Sequence, residues 1–465
     1  MAAIAAVVLA FLVRVVGGNR AIAPYDDLYH WKRILYSAAH FPRVLEFDPD
    51  RGLGGAFCPW PPVYDLLAGG IVRLFGADVI IWIPPVVTSL LIGVTVFVAG
   101  WRAIPIAYAP FLVVASSVAD IDHHFLEPFL VLAIVAATMQ RSWIALTLAL
   151  VAALFVQTGL ILAAGLSFAC LFFLADKATR RRGAIAFVVA AGVVLLYRVT
   201  RLPGYPDGPW FLGTTHAALL IAAAIALVWR PAIIVSAGIV TPFVLDGMRF
   251  FAGDPWLSTI QEFQPIWKRN IANYAAALWS AGVLTRVSVL NIFTFAYVAA
   301  TISTSRFATI STVLVIVAAA QIRNRVITAL LFVIPAAQLI AWRVGGPAPV
   351  PHVPDFHFEK PGRVLAPWSW GHAIDVLEGR AVVIDNFGSM PDPELFRRAH
   401  SLLMGGDERS LAAFCDRHAI RYVVLRPPRK LTAFRRVGGD ETFDVYTRDI
   451  GDASVGKNGR RIGDP

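Results

Sequence analysis

The chain has 465 residues, of which 57% are hydrophobic and 15% are charged, and its mean hydropathy is +0.64. Soluble domains carry about 25% charged residues, so this composition argues against a soluble globular protein. The formal net charge of +10 does not indicate a nucleic-acid partner, because basic residues in a membrane protein typically mark its cytoplasmic loops.

Apolar runs of membrane-spanning length, or slightly shorter, follow one another along most of the chain. The segment 1–17 opens the series, and it is predicted to be a membrane helix because no small-residue cleavage site follows it. The other predicted helices lie at 79–99, 101–118, 126–140, 142–156, 158–175, 183–199, 213–229, 231–248, 272–286, 288–302, 307–322 and 326–342. The sequence thus predicts an α-helical polytopic membrane protein with about thirteen transmembrane helices. The shorter run 61–76 is predicted to lie in the membrane interface.

Charged residues are unevenly distributed along the chain. Residues 1–343 contain 39 of them and the remaining 122 residues contain 33, so the charged fraction rises from about 11% to about 27%. We therefore predict a transmembrane domain over 1–343 and a smaller water-exposed domain over 344–465. In the second domain, short apolar segments at 381–384 and 422–425, both predicted to be strands, alternate with helical stretches near 392–404 and 408–418, which is typical of a small mixed α/β fold.

The basic residues of the short loops predict the orientation of the helices. They occupy alternate loops, provided that the run 61–76 does not cross: Arg102, Arg141, Lys177, Arg180, Arg181, Arg182, Arg230, Arg286, Arg323 and Arg325. Their side is predicted to be cytoplasmic. The acidic and aromatic segments and the C-terminal domain then lie on the periplasmic or extracytoplasmic face of the cell inner membrane.

Two of these outer segments combine acids with other polar side chains. Asp26 and Asp27 follow the first helix, where Asp is common as a helix cap. The segment 120–124 (Asp-Ile-Asp-His-His) lies between two apolar runs, and such a cluster is costly beside hydrocarbon unless it binds a ligand. Oxygen and imidazole donors favour Mn²⁺ or Mg²⁺ over thiolate-binding metals. The sequence therefore indicates a metal site at 120–124.

Three further outer segments carry candidate functional side chains. Glu262 lies in the segment 258–265 (Ser-Thr-Ile-Gln-Glu-Phe-Gln-Pro). Considered alone, it is predicted to be an exposed carboxylate in a loop. Arg306 stands among hydroxyl residues at the membrane boundary, where it either extends to lipid head groups or binds a phosphate through two N–H groups. The segment 367–371 (Pro-Trp-Ser-Trp-Gly) places two Trp on the outer domain, where an ordinary core role is the simpler interpretation.

Taken in this order, the segments resemble the motifs of the catalytic subunit of oligosaccharyltransferase, a GT-C-fold glycosyltransferase, in its single-subunit bacterial and archaeal form. Asp26 in Asp-x-x-Tyr-His-x-x-Arg is similar to the first acidic motif of that family. Asp122 and His124 match the second motif, in which an Asp and the His two residues later bind the metal. Glu262 fits the motif Thr-Ile-x-Glu, and Arg306 falls where the family has a diphosphate-binding arginine.

The resemblance implies a metal-dependent, inverting transfer of a glycan from a polyprenyl-diphosphate carrier to an asparagine of an acceptor protein or peptide, at a membrane lipid surface and by a single subunit. It assigns Mn²⁺ or Mg²⁺ to the ligands Asp26, Asp122, His124 and Glu262. It assigns catalysis to Asp26, Glu262 and Arg306, with Arg306 on the donor diphosphate, and acceptor binding to Thr259, Trp368, Ser369 and Trp370. Asp27 and Asp120 remain alternatives to their neighbours.

One departure from the family bears on the acceptor. The family motif Trp-Trp-Asp-Tyr-Gly surrounds the hydroxyl of the Ser or Thr two residues after the target Asn, and here its place is taken by the segment 367–371 (Pro-Trp-Ser-Trp-Gly). This change supports an alternative, a GT-C transferase that glycosylates a lipid, a sugar or a hydroxyl group. A transporter would explain the helices and the intramembrane acids, but not the 122-residue outer domain.

Overall fold

The computed structural model describes residues 1–16, 22–253, 288–344 and 354–448. They are mostly helical, with a small mixed sheet. The chain divides into two compact units. The first comprises Met1–Ile22, Arg33–Val44 and Pro59–Val350, and the second comprises Ala23–Lys32, Leu45–Cys58 and Pro351–Pro465. Two segments that precede residue 59 thus belong to the same unit as the C-terminal region. The predicted domain boundary between residues 343 and 344 stays a prediction.

Helices with predominantly apolar sequences make up the first unit. They are Ala2–Val15, Val63–Phe75, Ile83–Ala99, Pro110–Val114, Glu127–Gln140, Trp143–Val156, Ile161–Leu174, Lys177–Val199, Thr214–Val228, Ile233–Gly253, Val289–Ser303, Ala308–Ala320 and Arg325–Val344, and the helix Asp26–His40 contributes residues to both units. Leu150 and Phe187 are at most 1% exposed in the core of this unit, whereas Phe97 is 81% exposed. Many large apolar side chains share this exposure, which fits a surface that faces lipid.

Helix length and composition support a location in the membrane. Among the described residues, three helical segments are long and apolar enough to cross it: Ala77–Ala99, Lys177–Val199 and Arg325–Val344. Seven shorter apolar helices accompany them: Ala2–Val15, Trp143–Val156, Thr158–Leu174, Thr214–Val228, Arg230–Pro242, Val289–Ser303 and Ser305–Ala320. The predicted run 272–286 lies outside the described residues. The count of thirteen spans therefore stays a prediction.

The predicted run 101–118 does not form one helix. It folds as the 3₁₀ helix Trp101–Tyr108 followed by the five-residue helix Pro110–Val114. Pro105 lies inside the first element and Pro110 begins the second. Because proline lacks an N–H group and disfavours helical geometry in the residue before it, these two positions interrupt the apolar run.

The second unit contains the sheets. The strands β1 (Phe47–Asp48) and β2 (Ala56–Phe57) pair antiparallel. A four-stranded sheet has the order β3-β4-β6-β5, with the bounds Arg363–Leu365 for β3, Ile420–Leu425 for β4, Arg435–Gly439 for β5 and Asp444–Thr447 for β6. β3 and β4 are parallel, and the other two pairs are antiparallel. This mixed sheet agrees with the predicted α/β character of the C-terminal region.

The helices of the second unit are Gly371–Leu377, Pro393–Met404 and Glu408–Arg417. Asp392 and Asp407 cap the last two, because their side chains accept backbone N–H groups of the first turn. The core of the unit includes Phe356, Trp370, Val424 and other apolar side chains. Trp370, one of the predicted acceptor-binding residues, therefore contributes to the packing of this unit.

Candidate metal and phosphate site

The segment 120–124 is held in a defined position in the first unit. The hydroxyl of Tyr64 donates a hydrogen bond to the carbonyl of Ile121 at 2.6 Å. Asp122 then precedes the short 3₁₀ helix His123–Phe125, and the helix Glu127–Gln140 begins two residues later. The predicted metal segment thus lies in a short turn that leads into an apolar helix.

Asp122 and His124, both predicted as metal ligands, face each other. The Nε2 atom of His124 is 3.0 Å from Oδ2 of Asp122, and Nδ1 of His123 is 2.9 Å from Oδ1 of the same carboxylate. His123 is 1% exposed and also contacts Gln157, whereas the side chain of His124 is 21% exposed. His124 is therefore the more accessible of the two imidazoles.

Arg306 joins this cluster from a distant part of the chain. It belongs to the 3₁₀ helix Ser305–Phe307, and its side chain is 15% exposed. Its Nη2 lies 3.0 Å from Nδ1 of His124, and its Nη1 contacts Nε2 of the same ring. The structure thus brings together three of the predicted site residues: Asp122, His124 and Arg306.

Glu127 completes the cluster, and the sequence analysis did not identify it. Its Oε1 lies 2.8 Å from Nδ1 of His124 and 3.0 Å from Nη2 of Arg306, and the residue is 5% exposed. An acid at the start of an apolar run has the character of a helix cap. The spacing of three residues from His124 was the signal that could have identified it, because such residues are neighbours on a helical surface.

The donor set fits a divalent cation. Atoms of His123, His124 and Glu127 all lie within 4.8 Å of one another. An octahedral cation with bonds of about 2.1 Å holds neighbouring ligand atoms about 3 Å apart, and Nε2 of His124 and Oδ2 of Asp122 are 3.0 Å apart. Burial and Arg306 lower the pKa of His124, but Asp122 and Glu127 outweigh them and raise it. The surroundings of this imidazole therefore favour a positive charge.

Asp26, Glu262 and Thr259 are the other residues predicted for the metal and acceptor sites. Glu262 and Thr259 are outside the described residues. Asp26 and Asp27 begin the helix Asp26–His40, and their part of this helix belongs to the second unit. Asp27 is 7% exposed, whereas the side chain of Asp26 is 34% exposed. Asp26 is therefore the more accessible carboxylate of this pair.

A buried polar network surrounds Asp26 within the second unit. Nδ1 of His372 lies 3.7 Å from Oδ1 of Asp26, and the imidazole stacks on Tyr29 with 4.8 Å between the ring centroids. Burial lowers the pKa of His372 to about 3. Burial also raises the pKa of Asp385, but the ion pair with buried Arg51 outweighs it and lowers that pKa. These groups fix the start of the helix that carries Asp26.

Lys32 forms a second buried group of charges in this unit. Its Nζ is 2.8 Å from Oδ2 of Asp48 and 2.8 Å from Oδ1 of Asp375. Burial opposes the lysine charge, but the two carboxylates raise its pKa. Burial raises the pKa of Asp375 to about 7 despite the attraction of Lys32. One ammonium group thus joins the segments around residues 32, 48 and 375.

The segment 367–371 forms part of the C-terminal structure of this unit. Trp368–Trp370 is a 3₁₀ helix, in which Trp368 and Ser369 are partly buried and Trp370 is 8% exposed. The Trp370 ring packs edge-on against Phe356 at 5.3 Å, and the guanidinium of Arg426 lies 5.3 Å from its centroid. Acceptor binding by these residues stays a prediction.

Comparison with protein-family models gives no match, and comparison with curated proteins gives none. Solved structures of similar fold include several of the oligosaccharyltransferase AglB of Archaeoglobus fulgidus. The complex with an inhibitory peptide and a dolichol-phosphate aligns with a TM-score of 0.68 and 16% identity over 91% of this chain and 69% of that chain. The complex with Zn and sulfate aligns with a TM-score of 0.63 and 17% identity over 92% and 68% of the two chains. The structure tethered to an acceptor peptide containing the NVT sequon gives a TM-score of 0.63 and 17% identity over 91% and 68%.

The resemblance that the motif order indicated is confirmed by these structures. It extends over nine tenths of the chain and does not depend on close sequence similarity, because identities of 15–17% accompany TM-scores of 0.63–0.68. The chain has the fold of the archaeal oligosaccharyltransferases.

Proposed function

We propose that this protein is an oligosaccharyltransferase that moves a glycan from a polyprenyl-diphosphate carrier to an asparagine of an acceptor protein or peptide. The observation that carries the proposal is the cluster of Asp122, His124, Glu127 and Arg306. It combines donors for a divalent cation with a guanidinium at contact distance. A metal cation and a guanidinium each stabilise the negative charge that develops on a diphosphate leaving group.

The proposed role of the Asp26 and Glu262 carboxylates is to accept hydrogen bonds from the two N–H groups of the acceptor amide. An amide nitrogen is a poor nucleophile because its lone pair is delocalised into the carbonyl group. Hydrogen bonds from both N–H groups to carboxylates reduce that delocalisation and orient the lone pair. Attack on the anomeric carbon from the face opposite the leaving group forms the C–N bond as the C–O bond to the diphosphate breaks, which inverts the configuration, and one amide proton passes to a neighbouring carboxylate.

Arg306 has the proposed role of holding the diphosphate of the donor. Its planar guanidinium can make two parallel bonds to phosphate oxygens, which fixes the leaving group as well as its charge. Asp122 and His124, with Asp26 and Glu262, are the proposed ligands of Mn²⁺ or Mg²⁺. When bound, the cation stabilises the negative charge that develops on the departing diphosphate.

The acceptor side of the proposal involves Thr259, Trp368, Ser369 and Trp370. A solved relative was captured with an acceptor peptide containing the NVT sequon, and another with an inhibitory peptide and a dolichol-phosphate. These complexes support a peptide acceptor and a lipid-linked donor for this chain. Ser369 offers a hydroxyl in place of the carboxylate that the family motif has at this position.

We propose the following arrangement in the cell. About thirteen helices of a domain over 1–343 cross the inner membrane, and the domain over 344–465 lies on the extracytoplasmic face together with the active site. The basic residues of the alternate loops support this orientation. A single subunit carries the activity.

A second candidate function shares the donor and differs in the acceptor. Pro367 and Ser369 replace a Trp and an Asp of the family motif, and these replacements favour an acceptor other than an asparagine peptide. The alternative is a GT-C transferase that glycosylates a lipid, a sugar or a hydroxyl side chain.

The test is transfer to a fluorescent Asn-x-Thr peptide by the purified protein with a lipid-linked oligosaccharide. We expect a glycopeptide that is absent when the peptide carries Gln in place of Asn, or when the metal is chelated. Consumption of the donor with a lipid or sugar acceptor, without any glycopeptide, would instead establish the second candidate.

A further inference from the structure

Glu127 is the member of the cluster to which the family motifs quoted above give no role. We propose that Glu127 is a positioning residue whose carboxylate orients the imidazole of His124 for metal binding and holds the guanidinium of Arg306 beside it. This inference rests on the proposed function. It concerns how that site keeps the metal-binding imidazole of His124 and the phosphate-binding guanidinium of Arg306 next to each other.

His124 is the first side chain that Glu127 contacts. An imidazole that binds a metal is neutral and has one N–H group, and Nδ1 of His124 lies 2.8 Å from Oε1 of Glu127. Donation from Nδ1 leaves the lone pair on Nε2, the atom that lies 3.0 Å from Oδ2 of Asp122. In a metal-binding histidine, the ring nitrogen that does not bind the metal carries the N–H group. A carboxylate that accepts a hydrogen bond from this N–H fixes the orientation of the ring and increases its basicity. Glu127 is placed to do this.

Arg306 is the second side chain that Glu127 contacts. Nη2 of this arginine lies 3.0 Å from the same Oε1 atom of Glu127, while Nη1 contacts Nε2 of His124. A cation bound at Nε2 requires the guanidinium to turn away from the ring. The bond from Arg306 to Glu127 would hold the guanidinium within the site when a cation displaces it from the ring.

Direct metal ligation by Glu127 is the competing interpretation, because its carboxylate lies within 4.8 Å of both imidazoles. Oε1 of Glu127 is already shared by His124 and Arg306. Ligation of a cation by Glu127 would therefore fall to Oε2, while Oε1 remains bonded to the two side chains. The contacts therefore favour a positioning role.

The experiment measures Mn²⁺ binding alone, by electron paramagnetic resonance on the purified full-length protein in lipid nanodiscs. For Glu127→Ala we expect the Kd to rise about 10- to 100-fold, as is typical when a carboxylate behind a metal-binding histidine is removed. Glu127→Gln should have a smaller effect, because the amide oxygen still accepts the N–H of His124. Asp176→Asn is the matched control, since Asp176 is an exposed carboxylate paired with Arg141 at 3.3 Å.

Donor kinetics supply a second readout that a purely structural role would not give. Glu127→Gln should raise the KM for the lipid-linked glycan while the KM for the acceptor is unchanged. Glu127 acts on the donor through Arg306. The double variant Glu127→Gln with Arg306→Ala should therefore raise the donor KM by a factor smaller than the product of the two single-variant factors.

The outcomes separate this inference from the proposed function. An unchanged Mn²⁺ affinity in both Glu127 variants of a protein that still makes glycopeptide would overturn the inference alone. A loss in Glu127→Gln as large as in His124→Ala would identify Glu127 as a ligand and also overturn it. If the wild type binds no Mn²⁺, the inference and the proposed metal site fail together. The expected Mn²⁺ effects in a protein that makes no glycopeptide would support the inference and refute the proposed acceptor.

Discussion

Replacement of Lys32 by Met tests the buried charges that join the segments of the second unit. The side chains of Asp48 and Asp375, its two partners at 2.8 Å, are 1% and 2% exposed. Removal of the ammonium leaves both carboxylates buried without their counter-charge. Breaking a buried ion pair in this way typically costs about 3–5 kcal/mol. At about 2–4 °C per kcal/mol for a unit of this size, the unfolding midpoint should fall by about 6–20 °C.

The loss of stability in this variant should depend on pH in a specific direction. The pKa of Asp375 is about 7 in the folded protein because the residue is buried, and it is about 3.9 in an unfolded chain. A carboxyl group with a raised pKa contributes stability that is full below the unfolded value and is lost as the pH rises through the folded value. Without Lys32, the pKa of Asp375 rises further. The destabilisation should therefore be larger at pH 8 than at pH 5.

The assay is thermal unfolding of the purified protein in detergent, followed by tryptophan fluorescence at pH 5 and pH 8. The matched control is Lys430→Met, because Lys430 is an exposed lysine of the same unit. The double variant Lys32→Met with Asp375→Asn should recover part of the lost stability, since it removes one of the two carboxylates. Equal losses at both pH values, or a loss no larger than that of the control, would refute the reasoning.

The remaining predictions concern the candidate site. Arg306→Ala should raise the KM for the lipid-linked glycan far more than the KM for the acceptor. Arg306→Lys should restore the donor KM only in part, because lysine cannot make the planar two-point contact. An unchanged donor KM in Arg306→Ala would favour contact with lipid head groups. Asp122→Ala and His124→Ala should each lower activity at limiting Mn²⁺ or Mg²⁺, and a wild-type metal dependence in both would exclude the metal assignment. Ser369→Asp should increase the ratio of kcat/KM for Asn-x-Thr peptides to kcat/KM for Asn-x-Ala peptides severalfold. The reason is that a hydrogen bond to a charged group contributes about 1.5–3 kcal/mol, against about 0.5–1.5 kcal/mol for a neutral one. An unchanged ratio would contradict a role of Ser369 in acceptor recognition.

The sequence predicted those features of the fold that depend on local composition. Apolar runs indicated a helical membrane protein, and the alternation near the C-terminus indicated a mixed sheet that the structure contains. The run 101–118 was predicted as one helix because hydropathy measures only the polarity of side chains. It contains no information on how Pro105 and Pro110 change the backbone geometry. The assignment of 45–58 to the second unit depends on contacts such as that of Arg51 with Asp385, which are distant in sequence.

The candidate site was predictable only where its residues stand in a recognisable order. Asp122, His124 and Arg306 were selected from their motifs, and the structure brings them into contact. Glu127 was missed because an acid at the first turn of an apolar helix has an ordinary role as a cap. Its function depends on Arg306, which is 179 positions away in the chain, and no local pattern contains that information.

The central claim is that a glycan leaves a polyprenyl diphosphate and becomes attached to an asparagine. The most direct test is mass spectrometry of an Asn-x-Thr peptide after incubation with the purified protein, a lipid-linked oligosaccharide and Mn²⁺, together with quantification of the released polyprenyl diphosphate. The account predicts glycan on the asparagine nitrogen, one released polyprenyl diphosphate for each glycopeptide, and less of both products with Asp122→Ala at limiting Mn²⁺. Release of polyprenyl diphosphate with the glycan on another acceptor, and no modified asparagine, would contradict it.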